Sequence, residues 1–235
     1  MSIAAGGLAE LHQIHLQLKQ VNDKLAAGPK RIAAHRQLVE KRQAEADQLR
    51  ERLTEVRLAA DAKSLQFKSN EKQISDLKAK LNMATSNREF GIIKSQIEAD
   101  TMANSVLEDE ILEILEQADE IRTKIAATET QRDAATAELE RVTAEVAAVE
   151  PQLLQEAAEY KDALEAAERN LPAEVAVVYR RLVTAHGADA LASVEGKACT
   201  GCFALLEPNR LVELNVGKYL FCRTCGRLMY RTETE

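Results

Sequence analysis

From Leu11 the sequence can be walked in alternating steps of three and four residues as far as Leu81. Sixteen of the twenty-one positions touched are apolar. The same walk from Leu107 to Leu153 meets twelve apolar residues in fourteen. A repeat of about 3.5 residues held this long gives each helix one narrow apolar seam, which specifies coiled-coil helices. The composition agrees: Trp is absent, aromatics are 3%, and charged residues are 29%. That profile belongs to long helices, not to a chain that is compact over most of its length.

The ladders are separated by Asn82-Met83-Ala84-Thr85-Ser86-Asn87-Arg88-Glu89. Ser86 followed three residues later by Glu89 fits a capping box, so a new helix starts there. A polar break of about five residues suits a tight connection between antiparallel helices. The reading is an antiparallel coiled-coil hairpin over residues 1–171, turning near 82–87. Pairing a with d positions restricts the summed numbers of facing residues to about 167 or 174. The capped start at Ser86 favours 167, with Lys63 beside Asn104, and the alternative sets Arg42 against Arg132. Gly28-Pro29 and Pro151 are expected to kink or break their helices, since an internal proline removes a hydrogen bond.

After Leu171-Pro172 the pattern changes. Residues 173–185 read as a short helix stopped at His186-Gly187, and Ala190 to Val194 as a strand. The second domain, residues 172–235, thus holds this helix and all four cysteines. These lie as Cys199-x2-Cys202, nineteen residues, then Cys222-x2-Cys225. Two intervening residues let both thiolates of one turn reach the same cation, and two such knuckles complete the tetrahedral set that zinc favours. A redox pair or an iron–sulfur cluster would use the same residue type. Four thiolates close the shell, so a zinc ion here is structural, whereas catalytic zinc keeps a position for water. Gly201 and Gly226 supply backbone freedom at the turns. About forty residues bury too little apolar surface to fold unaided, and metal binding worth on the order of 10 kcal/mol offsets the deficit. The fold class is therefore mainly α, a long helical hairpin with a small C-terminal β zinc ribbon.

Net charge is −7, which disfavours a whole-chain nucleic-acid or membrane-surface binder. No stretch approaches the roughly 20 apolar residues of a membrane span. The first twenty residues lack the basic leader and apolar run of a secretory signal. The expected location is the cytoplasm, where thiols stay reduced. Within the ribbon, Lys197, Arg210, Lys218, Arg223, Arg227 and Arg231 are candidate contacts for a partner or nucleic acid. Against them stand Glu207, Glu213, Glu233 and Glu235. With four thiolates and one Zn²⁺ the ribbon is near neutral. Phe203, Tyr219, Phe221 and Tyr230 interleave with the basic residues, an arrangement that can stack on single-stranded nucleic acid or simply form the ribbon's core. The histidines His12, His15, His35 and His186 share no ligand spacing and read as surface or seam residues. Glu108-Asp109-Glu110 reads as a solvated face. No phosphate loop, carboxylate pair or nucleophile–base set is present in the pattern, and an enzyme is not expected.

The chain resembles the bacterial coiled-coil proteins with a C-terminal C4-type zinc ribbon, a family long classed as a domain of unknown function. The resemblance rests on Thr85-Ser86-Asn87-Arg88-Glu89-Phe90, Glu108-Asp109-Glu110-Ile111-Leu112, Tyr179, and the run from Cys222 to Tyr230. It implies an adaptor for a protein of the transcription machinery (alternative sigma factor sigma-54) or of flagellar or secretion machinery. It also carries a nucleic-acid-binding alternative, RNA or DNA, and either a monomer or a homodimer fits the ladders.

Overall fold

The computed structural model describes residues 3–231; Glu233 and Glu235 of the ribbon charge count lie outside them. The protein is mainly α. Two long helices, α1 (Ile3–Leu81) and α2 (Asn87–Glu168), pack together. They are followed by α3 (Ala173–His186), a 3-10 turn over Gly187–Ala190, β1 (Leu191–Glu195), β2 (Ala198–Cys199), α4 (Pro208–Asn215), β3 (Leu220–Phe221) and β4 (Leu228–Arg231). No helix among the described residues is long and apolar enough to cross a membrane. The chain forms two compact units: Ala33–Arg141, and the residues up to Ile32 together with those from Val142 onward.

In the unit Ala33–Arg141, α1 and α2 meet along the seam that the ladders mark. Leu53, Val56 and Ala118 are buried, with Ile114, Ile121 and Ile125 packed on them. At the turn, Ser86 Oγ accepts from the Glu89 amide at 3.2 Å, and the Glu89 carboxylate accepts from the Thr85 amide at 3.3 Å. The cap is as expected, except that the reciprocal bond falls one residue earlier than in the standard box.

The expected register is corrected. Lys63 Nζ donates to Glu110 at 2.5 Å and Gln73 Nε2 to Asp100 at 3.2 Å, so facing numbers sum to about 174. The like charges that disfavoured this register are neutralised locally. Arg42 pairs with Glu45 at 2.7 Å, while Arg132 donates to Gln43 and to Asp133 at 3.1 and 2.7 Å. The cap begins α2 inside the turn, before its first seam layer, which leaves Phe90 48% exposed.

In the other unit α1 continues through Gly28-Pro29 and α2 through Pro151, so neither proline breaks its helix. A β-carbon at Gly28 would lie 2.8 Å from Val146 Cγ1, so the backbone of α1 comes up directly against that side chain. Gly28→Ala is expected to destabilise this unit by about 1 kcal/mol, because overpacking of about 1–3 kcal/mol exceeds Ala's helix preference. Adding Val146→Ala should relieve the overpacking. Urea midpoints of the single and double variants check it.

The sheet order is β2-β1-β4-β3, with β1 parallel to β4 and the outer pairs antiparallel. One cluster joins it to the helices: Leu8 and Leu11 of α1 and Tyr179 of α3 pack with Leu191, Leu228 and Tyr230. A second lies beneath the cysteines, where Ala192, Val194, Leu214 and Met229 surround Cys199 and Cys222. Helix α4, which contributes Leu214, was not anticipated. Pro208 stands in its first turn, where the missing N–H costs nothing.

Candidate metal centre

The two cysteine turns repeat one backbone design. The amides of Phe203 and Gly226 donate to the carbonyls of Cys199 and Cys222 at 2.7 and 2.8 Å. The amides of Cys199 and Cys222 donate to the carbonyls of Ala204 and Arg227 at 3.0 and 2.9 Å. Each turn therefore closes through the residue after its second cysteine, and that residue must be left-handed: φ is 59° at Phe203 and 74° at Gly226. Glycine adopts this conformation without strain; for Phe203 it costs about 1–2 kcal/mol.

All four cysteines are free, and their sulfurs lie within 4.8 Å of one another. Cys199 Sγ is 3.9 Å from Cys225 Sγ, and Cys202 Sγ is 3.6 Å from Cys222 Sγ. A tetrahedral ion about 2.3 Å from each sulfur would set them about 3.8 Å apart. The donor set fits a metal ion, and the same distances are far too long for disulfides. Burial and the neighbouring sulfurs push the Cys199 thiol up to about 12. At Cys225 burial also opposes ionisation, but the backbone N–H and guanidinium of Arg227 outweigh it and bring the thiol down to about 7. Cys225 is thus readily presented as a thiolate near neutrality, whereas binding through Cys199 must release a proton.

Of the two glycines expected to free the turns, Gly226 does so. Gly201 is required for space, since a β-carbon there would lie 2.6 Å from Arg227 Cδ. Arg227 crosses the first turn and donates to the carbonyls of Gly201 and Asp189 at 2.8 and 2.7 Å. It holds the two turns together. Among the other candidate contact residues, Arg210 donates to the Phe221 carbonyl at 2.6 Å and Arg231 to Asn215. Lys218 pairs with Glu213 at 3.1 Å and Arg223 with Glu207 at 2.9 Å. Lys197 is exposed and makes no side-chain hydrogen bond or ion pair among the described residues. Tyr219, Phe221 and Tyr230 belong to the joining cluster, whereas Phe203 is 80% exposed, as is Leu205.

Two histidines read as surface or seam residues tie the ribbon to α1. His12 Nδ1 is 2.7 Å from the Tyr230 hydroxyl, with the rings edge to face. The Tyr179 hydroxyl donates to Glu168 at 2.9 Å and accepts from His15 Nε2 at 2.5 Å. No sequence spacing links these partners, because the fold alone brings residues so distant in the chain together. Burial lowers the pKa of both imidazoles, against weaker opposing effects of Asp189 on His12 and Glu168 on His15. The unfolded chain therefore binds more protons just below the ordinary value of 6.5. Stability should rise with pH in that window and fall as acid protonates both residues. The urea midpoint is expected to drop between pH 7.5 and 5.5, and the drop should be smaller in a His12→Gln/His15→Gln variant.

No family model matches the chain, and no curated protein does. Several solved structures share its fold. The HP0958 protein from Helicobacter pylori matches with a TM-score of 0.70 and 14% identity, over 97% of each chain. CT398 from Chlamydia trachomatis matches at 0.58 and 16%, over 97% of this chain and 100% of that one. A protein from Mycobacterium smegmatis matches at 0.52 and 16%, over 99% and 100%.

Proposed function

We propose that the four cysteines hold one structural zinc ion and that the protein is a non-enzymatic, cytoplasmic adaptor whose ribbon docks on a protein partner. Four thiolate donors complete the shell, which suits zinc in a structural role and leaves no open position for catalysis. The docking reading rests on one observation. The first knuckle places an 80% exposed Phe203 at the left-handed position where its twin has Gly226, with Leu205 equally exposed two residues on. Backbone strain and an uncovered aromatic at one residue are both unfavourable for the free protein, and exposed aromatic anchors are what partner pockets take up. The resemblance to zinc-ribbon coiled-coil proteins points to a partner in transcription, of the sigma-54 type, or in flagellar or secretion machinery.

The nucleic-acid reading is less well supported, because five of the six basic side chains are engaged within the ribbon. Affinity capture from native extract, comparing wild type with Phe203→Ala/Leu205→Ser, tests the choice. Loss of one defined protein in the variant supports the adaptor. Capture of RNA that weakens steeply with salt and with Lys197→Glu/Arg223→Glu, while surviving the apolar changes, would replace it with nucleic-acid binding.

A further inference from the structure

The segment after the first cysteine turn leaves a sheet edge unpaired. Beyond Phe203 the chain runs beside β2, where Leu205 bridges to Ala198 in the antiparallel sense. The bonds of that bridge belong to its neighbours. The Cys199 amide donates to the Ala204 carbonyl at 3.0 Å, and the Leu206 amide to the Lys197 carbonyl at 2.8 Å. In such a pair the bridging residue turns its own N–H and C=O away from the partner strand. Glu207 is also extended, with φ −62° and ψ 143°, so its amide faces the same way as that of Leu205. The Ala204 amide donates to the Cys202 sulfur, and across the same planar peptide the Phe203 carbonyl points outward. None of these four groups, two donors and two acceptors, has a partner among the described residues. Leu206 packs on the cluster beneath the cysteines, while Leu205 and Phe203 are each 80% exposed, so the edge is open to approach.

We propose that this edge pairs with the same edge of a second copy of the chain, forming a two-fold dimer through the ribbons. An antiparallel copy centred on the two Leu205 residues satisfies every unpaired group. Each Leu205 amide donates to the other Leu205 carbonyl, and each Glu207 amide to the second copy's Phe203 carbonyl. A longer ladder would next need the Phe203 amide and the Glu207 carbonyl. Those are already taken inside the ribbon, by the Cys199 carbonyl and by the amides of Arg210 and Leu211. Pro208, which has no N–H, ends the edge. The free groups therefore match this chain's own pattern and not a strand of arbitrary length. Across the axis the Leu205 side chains meet, and each Phe203 reaches the other Leu205 diagonally. The charges on every side permit this approach. Glu207, Arg210 and Arg223 flank the edge. Glu207 and Arg223 neutralise each other at 2.9 Å, and Arg210 is bonded to the Phe221 carbonyl. Lys197 lies in the turn into β2, one strand back from the edge. Pairing sets Glu207 against the second copy's Phe203, so like charges do not meet. One patch used twice closes on itself, and assembly stops at the dimer. The inference goes beyond the adaptor reading and does not rest on it. Pairing covers the side chains on which a protein partner would dock, so the two occupants compete.

Sedimentation equilibrium of the zinc-loaded full chain, from about 10 µM to about 1 mM, tests the pairing without any other protein. A reversible dimer is expected with Kd on the order of 0.1 mM, since interfaces below about 1,200 Å² are the weak and transient ones. Hydrogen exchange at the Leu205 and Glu207 amides should slow as the dimer fills. The decisive variant replaces Leu205 with leucic acid, which turns its amide into an ester. That N–H donates to nothing within the chain, so the fold is kept while both central bonds of the dimer are lost. Kd should rise about tenfold. Val212→Ser/Val216→Ser, which removes side chains 60% and 72% exposed elsewhere on the ribbon, should change it less than about twofold. A chain that stays monomeric at the highest concentration would overturn the proposal and leave docking of a different protein standing. So would a dimer that the ester leaves unchanged, or one in which Leu205 and Glu207 exchange as freely as in the monomer. Equal weakening by the Val212/Val216 variant would reduce the association to unspecific apolar contact and overturn it too.

Discussion

Cys222→Ser is expected to abolish metal binding and unfold the ribbon while leaving the long helices intact. Metal content should fall from one ion per chain to none. Amide protection should be lost across Leu191–Arg231, and ellipticity at 222 nm should barely change. The reason is an imbalance of cores. What Ala192, Val194, Leu214 and Met229 bury is a small cluster whose remaining walls are the cysteines themselves. Strands of two to five residues add little of their own. Structural zinc sites contribute on the order of 10 kcal/mol, and the ribbon has no comparable reserve once three thiolates face each other without the ion. The helices of Ala33–Arg141 bury Leu53, Val56 and Ala118 in a core of their own, which should persist when the metal is lost. Full metal content in the variant would show that the four sulfurs do not act as one site. Loss of ellipticity in proportion to the loss of metal would show that the helices depend on the ribbon.

The parts of this architecture that were legible in the sequence are those set by local periodicity. The ladders give both long helices because a 3.5-residue repeat is a property of one strand of sequence at a time. Ser86 and Glu89 give the start of α2, and the paired Cys-x-x-Cys turns give the cysteine cluster, for the same reason. Register was not legible. It depends on how far α2 has run before its first apolar layer and on where Arg42 and Arg132 find counter-charges, and both are settled only when the helices meet. Gly28-Pro29 shows the same limit: proline's local penalty is readable, but the close approach of the Gly28 backbone to Val146 is not. Gly201 looked like a residue of conformational freedom, yet its requirement comes from Arg227, whose side chain crosses the first turn from the second. The charge pattern of the ribbon misled in the same way. Six basic residues among aromatics suggest an open cationic face, but carbonyls, carboxylates and an amide take up five of them.

Tyr179 carries the second large effect, because one hydroxyl joins three helices. The ring is 1% exposed on α3, and its oxygen links Glu168 at the end of α2 to His15 on α1. Burial, then the bond to Glu168, raises the phenol's pKa above its ordinary value, so the hydroxyl stays protonated and keeps donating across the whole working pH range. Tyr179→Ala should cost about 3–5 kcal/mol through the cavity left among Leu8, Leu11, Leu191 and Leu228. Tyr179→Phe keeps the volume and removes only the oxygen. Glu168 is partly exposed and can turn to water, but His15 is 5% exposed and cannot. The loss should therefore be about 1–3 kcal/mol and arise from the stranded imidazole. Removing both polar partners tests that origin: Tyr179→Phe/His15→Leu should recover most of what Tyr179→Phe loses, since apolar groups of similar shape leave nothing unsatisfied. Urea unfolding followed by near-ultraviolet tyrosine ellipticity reads this unit alone, because Tyr160, Tyr219 and Tyr230 all lie in it. A double variant weaker than either single one would place the energy in packing and deny the hydroxyl its role in fastening the ribbon to α1.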